Sequence, residues 1–588
     1  MKIIQKSAFW AFCFFTISLS SCKEKLTENQ KPNVIIIMTD DQGYGDFGFT
    51  GNPHVKTPVL DNLFQNSIRF NDFYVSPVCA PTRASLMTGR QSLRTGIRDT
   101  YNGGAIMHTD EITLAEMLNV ADYRTGIFGK WHLGDNYPSR PMDQGFEETL
   151  THLSGGMAQV GDFTTYFKFD SAYFDPVLWH NGKQEKYEGY CSDIFTSNAI
   201  DFIDKNKDDP FFCYLAFNAP HTPLQLPQKY YDMYKDIDPS AGFGDNKEVK
   251  AMSEKDKEDA RKVYGMVSNI DDNIGRLLEH LDELGIADNT ILIFMTDNGP
   301  QQKRYTGGMR GRKAMVYRGG VRVPMLMLYP KGIEGNRDID ITSTHMDIVP
   351  TLAELCNMNL PKDRTIDGKS LVPLLKNEKV DWQERPLFFS WTRRYPELYN
   401  NVALQKGDFR FVGMTNYDSE IQDFELYNFK NDPAEENNLI SENEGLALEL
   451  KAEFNKQYYD LISSDHLINQ AEIRVGTKYE NPVFLNRNDA DGERGIWAQE
   501  EVFGQWRLDV IKGKYNVKYK FTKPVEAGKA FLEIGPLVFQ KEIKGTNLEI
   551  IEMNNIELPN ITADLIPFYM SEGKRIFPFY VELERVDI

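Results

Sequence analysis

Three apolar, β-branched runs each stop at a cluster of polar residues. Val34–Met38 ends at Thr39-Asp40-Asp41, Phe211–Phe217 at Asn218-Ala219-Pro220-His221, and Thr290–Met295 at Thr296-Asp297-Asn298-Gly299. Apolar runs without alternation predict strands buried on both faces, as in α/β folds. Helical patterns over Ile112–Val120 and Val263–Leu284 lie between them. Open α/β sheets bind ligands at the carboxyl ends of their strands, so the three polar clusters read as one site. Thr57-Pro58 before Val59–Phe64 predicts a helix start, with Thr at the N-cap and Pro at the first helical position. Thr344 and Asp347 are spaced as a capping box.

The pattern changes twice further on. Leu387–Phe389, Phe409–Val412 and Phe424–Phe429 predict short strands, followed by a helix near 444–463. After about residue 470 the strand candidates are Trp506–Val510, Tyr515–Phe521, Ala530–Ile534 and Phe579–Leu583, with no long helix. That pattern predicts an appended β-sandwich. A chain of 588 residues exceeds the usual size of one domain.

Charge and cysteines narrow the partners. A formal charge of −20 argues against nucleic acid as a partner. An anionic substrate would need a local basic pocket. Lys2 and Lys6 precede an apolar run, Ala8–Leu19, that is short for a bilayer span. Leu19-Ser20-Ser21-Cys22 resembles a bacterial lipobox. This implies a signal peptide over 1–21, lipidation of Cys22, a polar tether over 22–31, and an exported protein anchored to the outer membrane, facing the periplasm or the cell surface. Six cysteines are present. With Cys13 in the signal, Cys22 lipidated and Cys79 assigned below, Cys191, Cys213 and Cys356 allow one disulfide at most, and they read as buried thiols.

The most specific segment is Cys79-Ala80-Pro81-Thr82-Arg83-Ala84-Ser85-Leu86-Met87-Thr88-Gly89-Arg90. It resembles the signature of the formylglycine-dependent (type I) sulfatases of the alkaline phosphatase superfamily. Phe128-Gly129-Lys130-Trp131-His132-Leu133-Gly134, Asn218-Ala219-Pro220-His221 and the segment opening at Lys313 resemble further motifs of that family. The likeness runs over about residues 32–465.

The resemblance implies a mechanism and a site. A maturation enzyme would oxidise Cys79 to formylglycine (3-oxoalanine). One hydroxyl of the hydrated aldehyde attacks sulfur, and deprotonating the other expels sulfate. Asp40, Asp41, Asp297 and Asn298, with residue 79, would hold a metal. Their all-oxygen chemistry suits Ca2+, and Mg2+ less well. Arg83 would hold the diol's alkoxide, Lys130 and Lys313 would bind sulfate, and His132 would act as base. His221 would contact sulfate and protonate the leaving alcohol. Thr82 stands where the family commonly has Ser, and Arg318 where it usually has Glu. Arg318 reads as an exposed arginine or a substrate contact. The other seven histidines read as structural. Tyr101, His108, Trp179, His180, Arg304, Arg310, Trp391, Arg393 and Arg394 are candidates for contacting the leaving group.

The implied fold is α/β: an alkaline-phosphatase-like sandwich with a central mixed sheet over 32–375, a smaller antiparallel-sheet subdomain over 376–468, and the β-sandwich-like domain over 469–588. The implied activity is sulfatase action on a sulfated polysaccharide or its oligosaccharides, such as algal ulvan. The same superfamily contains phosphonate and phosphodiester hydrolases, which side-by-side rates would separate. A glycan-binding lipoprotein without catalysis would not need this constellation.

Overall fold

A computed structural model describes residues 31–379 and 381–588; the signal, Cys22 and nearly all of the tether lie outside the described residues. Residues 32–588 form one compact unit. Among the described residues no helix is long and apolar enough to cross a membrane.

A ten-stranded mixed sheet occupies the centre. The elements that carry the site are β1 (Asn33–Thr39), α1 (Cys79–Thr88), β2 (Arg124–Lys130), β3 (Glu148–His152), β4 (Phe211–Ala216), α2 (Glu254–Glu283) and β5 (Thr290–Thr296). The parallel strands run in the order β5-β1-β4-β2-β3, and antiparallel strands extend the sheet at both ends. All seven residues of β1 are buried. Val34, Ile36 and Met38 enter the core on one face, while Ile35 and Ile37 enter that on the other. Burial of both faces is the physical reason these runs do not alternate.

The predicted helix at Val263 begins nine residues earlier, at Glu254. Its first turns are charged and carry no apolar signal, but Ser253 and Asp256 close a capping box there. Thr344 and Asp347 form the predicted box. Thr57 is at the predicted N-cap of the helix Pro58–Asn66, yet its hydroxyl bonds Asp61 instead of capping that helix.

Beyond the central sheet, Leu387–Ser390, Val402–Lys406, Phe409–Gly413 and Glu425–Asn428 make a four-stranded antiparallel sheet. The helix Glu444–Ile462 packs on it. From Ile473 onward a seven-stranded and a four-stranded sheet, mainly antiparallel, share one core around Trp506, Tyr519 and Leu565. Ile106, from the catalytic region, is part of that same core. No disulfide joins Cys191, Cys213 and Cys356, which are all buried.

Candidate active site

Four parallel strands deliver the predicted residues at their carboxyl ends. Asp40 and Asp41 follow β1, Lys130 ends β2, His221 lies five residues past β4, and Asp297 and Asn298 follow β5. The helix α1 opens at Cys79, every one of its residues is buried, and it closes on Gly89 in the left-handed conformation. Cys79 therefore sits where a helix N-terminus favours negative charge. The Thr82 hydroxyl donates to the Asp297 carbonyl at 2.7 Å and receives the Ser76 amide at 3.1 Å. Those bonds need a hydroxyl at 82, which Ser or Thr supplies.

The charged groups form a closed set. Lys130 Nζ lies 2.6 Å from Asp40 Oδ2, Lys313 Nζ 2.7 Å from Asp41 Oδ1, and Arg83 Nη2 3.0 Å from Asp297 Oδ2. Arg83 also donates to the Lys130 carbonyl at 3.0 Å. His221 Nε2 is 3.6 Å from Asp41 Oδ2. Ligand atoms of Asp40, Cys79 and Asp297 lie within 4.8 Å of one another, as do those of Asp40, Asp41 and His221. Three carboxylates thus face three permanent cations.

The oxygens left over fit a hard cation. Asp40 Oδ1, Asp41 Oδ2 and Asn298 Oδ1 are buried without a hydrogen-bond partner. Asn298 Nδ2 donates to Asp41 Oδ1 at 2.7 Å and to the Gly299 carbonyl at 2.9 Å, which leaves its own oxygen unpaired. Buried acceptors of this kind are costly unless something binds them. Burial, then the neighbouring Asp40, push the Asp297 carboxyl up to about 7 against the pull of Arg83. Burial would raise Asp40 as well, but Lys130, His221, Arg83 and Lys313 hold it well below the usual carboxylate range.

The two histidines differ in tautomer. His132 Nε2 is 2.7 Å from the Thr100 carbonyl, which can only accept, so Nε2 carries the hydrogen. Its Nδ1 is buried without a partner and bears a lone pair. Burial, reinforced by Lys130, holds His132 well below its usual pKa. His221 Nδ1 donates to the Thr222 carbonyl at 2.8 Å, so the lone pair is on Nε2, facing Asp41. Burial and then Lys313 lower it too, so the bare site holds both rings as neutral acceptors. Burial also raises the Cys79 thiol, which makes it a poor thiolate nucleophile.

Sequence reasoning missed the places of His152 and Asn401 and gave Arg304 another role. His152 was grouped with the structural histidines, but it pairs in register with Lys130, and both its ring nitrogens are buried and unpartnered. Arg304 is fully buried on Asp46 at 2.7 Å and donates to the Asp41 carbonyl at 2.8 Å. It positions the left-handed Asp41 (φ 62°) and contacts no leaving group. Asn401 bonds the Ala314 carbonyl at 2.7 Å and the Val316 amide at 3.2 Å, pinning the loop that carries Lys313. No local signal marks Asn401 or the place of Arg304, because their partners are 85 to 263 positions away.

Arg318 is not exposed. It is buried, its Nε donates to the Tyr74 hydroxyl at 3.1 Å, and its amide donates to Glu435 at 2.9 Å. Among the leaving-group candidates, Arg310 binds Tyr427, Trp179 packs on Phe163 and Phe484, His180 binds Glu185, and His108 stacks on His466. Tyr101, Trp391, Arg393 and Arg394 share one cavity.

With this geometry in place the relatives can be compared. Residues 32–358 match the sulfatase family model. The chain belongs to the sulfatase family. It is a sulfuric ester hydrolase by that membership. Residues 311–463 also match the model for the C-terminal part of N-sulphoglucosamine sulphohydrolase. Among curated relatives, this sulfatase is 30% identical over 508 residues to an ulvan-active sulfatase of Formosa agariphila, covering 81% of this chain and 93% of the relative. It is 28% identical over 538 residues to an N-acetylglucosamine-6-O-sulfatase of Bacteroides thetaiotaomicron, covering 76% and 90%. The crystal structure of Ps i-CgsB in complex with k-i-k-neocarrahexaose aligns at TM-score 0.63 and 31% identity, covering 74% of this chain and 94% of that one.

Proposed function

We propose that this sulfatase removes sulfate from a sulfated polysaccharide or its oligosaccharides, using formylglycine made from Cys79 beside a bound calcium ion. The observation that carries the reading is the placement of Cys79 at a buried helix start, within 4.8 Å of Asp40 and Asp297 and inside a ring of Arg83, Lys130 and Lys313. The relatives named above act on or bind sulfated sugars by their names, which supports the substrate class.

Formylglycine would supply a hydrated aldehyde, whose second hydroxyl allows sulfate to be expelled without water attacking the enzyme ester. A calcium ion held by Asp40, Asp41, Asp297 and Asn298 would supply the positive charge that the three carboxylates now cancel. The chain's own residues do the rest. Lys130 and Lys313 would neutralise the sulfuryl oxygens and Arg83 the alkoxide of the diol, in a buried site where charge stabilisation is strongest. His132 Nδ1, with its free lone pair, accepts the proton of the expelling hydroxyl. His221 Nε2 would take a proton from solvent as the ester binds and donate it to the alcohol oxygen as the S–O bond breaks.

Export and attachment through lipidated Cys22 would bring the enzyme to a polymer outside the cytoplasm; labelling with a radioactive fatty acid, lost in Cys22→Ala, tests this. For the chemistry, the protein is expressed with and without a formylglycine-generating enzyme. Mass spectrometry should find the aldehyde at residue 79 only in the active preparation. Cys79→Ala should lower kcat on 4-nitrophenyl sulfate by at least about 10³-fold. An active protein that retains the thiol, or a higher rate on the matching phosphodiester, sinks the reading.

A further inference from the structure

A cavity of about 480 Å³ is built by three parts of the chain, two of which also bond to the loops that carry His132 and Lys313. Tyr101 comes from the loop whose Thr100 carbonyl receives His132. Trp391, Arg393, Arg394 and Asn401 come from the second subdomain, and Asn401 binds the residue after Lys313. Arg494 comes from the C-terminal β region, which lies beyond residue 463, where both family matches have ended.

The walls are held in place. Buried Asp99 receives Arg393 Nη1 and the Arg394 amide, both at 2.8 Å. The Arg393 guanidinium lies 4.4 Å from the Tyr101 ring centre and 4.7 Å from that of Trp391. Trp497, again from the C-terminal region, braces Tyr101 at 4.7 Å between ring centres. Arg394 (φ 78°), Tyr399 and Asn401 all have positive φ without being glycine. Strain of this kind persists only where the surroundings impose it, and it concentrates at functional sites.

The charge in this cavity is unlike that of the molecule. Three arginines and one carboxylate, Glu397, line it; Arg393 is paired with Asp99 at 2.8 Å, Arg394 lies 3.7 Å from Asp491, and Glu397 accepts from Asn400 at 2.8 Å. Arg494 is exposed and makes no ion pair among the described residues. A surface of net charge −20 repels a polyanion, so a rim of arginines is needed where one must enter. Guanidinium forks match carboxylate and sulfate, and flat aromatic faces suit the CH face of a sugar.

We propose that Arg393, Arg394 and Arg494, walled by Trp391 and Tyr101, form a subsite for an anionic sugar, bearing a carboxylate or a second sulfate ester, next to the sugar whose sulfate enters the cradle. This rests on the sulfated-glycan reading above. The C-terminal β region is then part of the substrate site, and it selects acidic neighbours of the sulfated sugar.

The test measures binding, without turnover, in a Cys79→Ser parent. The probes are a sulfated uronate-containing disaccharide from ulvan, one from heparin, their carboxyl-reduced forms, a carrageenan tetrasaccharide with two sulfates, and 4-nitrophenyl sulfate. Arg494→Ala and Trp391→Ala should each weaken an acidic oligosaccharide at least about tenfold more than they weaken 4-nitrophenyl sulfate. If carboxyl reduction in the parent causes the same loss, the ligand is a uronate. If the loss follows the second sulfate instead, the ligand is a sulfate ester. Unchanged Kd ratios in both variants, or no acidic probe binding more tightly than 4-nitrophenyl sulfate to the parent, overturn the proposal. Failure of the sulfatase chemistry would appear separately, as no hydrolysis of 4-nitrophenyl sulfate by matured enzyme with Cys79 intact.

Discussion

Asp40, Asp41 and Asp297 each have a cationic partner within 3.0 Å, and this bears on what chelation would do. The metal-free site is already neutralised, so removing the cation should leave a folded protein. What is lost is positive charge for the anion and a ligand for three orphaned oxygens. EDTA should abolish hydrolysis of 4-nitrophenyl sulfate while the far-UV circular dichroism stays unchanged. Calcium should restore activity better than magnesium, because the flexible carboxylate and amide set suits the larger ion. Calcium at 100 times its Kd should also add about 2.7 kcal/mol of stability, read as a rise in Tm. Activity that survives exhaustive chelation would remove the metal from the reading. At this scale the sequence was legible where residues sit in motifs, as at Cys79, Lys130 and Asp297. It named Arg304 as a leaving-group contact and His152 as structural, whereas their places beside Asp41 and Lys130 come from contacts that no local pattern records.

Between residue and molecule, the strands set how accurately the cradle is placed. Gly129 is the residue before Lys130 and faces Ala216 of β4. Its φ is +120°, and a β-carbon there would lie 1.9 Å from the Ala216 carbonyl oxygen. Gly129→Ala must therefore open the β2–β4 ladder one residue from the lysine that binds Asp40. Expected outcomes are a loss of about 2 kcal/mol or more in urea unfolding and a fall in kcat of at least about 100-fold. Unchanged kcat would mean that Lys130 tolerates displacement. Elements were readable where burial was uniform: β1, β4 and β5 were found from apolar runs alone. The start of α2 was hidden by its charged first turns. Val402–Lys406 and the long strands Leu548–Leu558 and Ile561–Ser571 were missed. Leu548–Leu558 pairs apolar residues with exposed Glu and Asn, and Ile561–Ser571 contains Pro567, so neither stands out as a strand.

At the scale of the molecule, the C-terminal β region meets the catalytic region through buried carboxylates. The Asp135 amide donates to Asp489 at 3.1 Å, Asn486 donates to Asp135 at 2.7 Å, and the Tyr137 amide donates to Glu480 at 2.6 Å. Composition revealed the excess of acid but not that some of it is buried at this seam. Burial pushes Asp489 up to about 6 and Glu480 up to about 7, and it raises Asp135 well above its usual value with help from Asp489. At these three groups the folded protein therefore binds more protons than the unfolded chain between about pH 4 and pH 7, whereas at the buried His132, His152, His221 and His345, all held below their usual pKa by burial, it binds fewer. The seam's contribution to stability must fall as pH rises through that window and level off above it, since ∂ΔG/∂pH follows the proton difference, while the buried histidines contribute with the opposite sign. One fully shifted group contributes up to about 1.4 kcal/mol per pH unit. Urea unfolding at pH 5, 6, 7 and 8 should show this decline as the part of the slope that a seam variant removes. Glu480→Gln, which keeps an acceptor for the Tyr137 amide, should flatten it. The variant also separates the seam from the general repulsion of a −20 chain, which a single neutralised charge barely changes. If Glu480→Gln leaves the wild-type slope between pH 5 and pH 7 unchanged, Glu480 is already ionised at the seam in this window, and the seam does not hold the two regions together by shared protons.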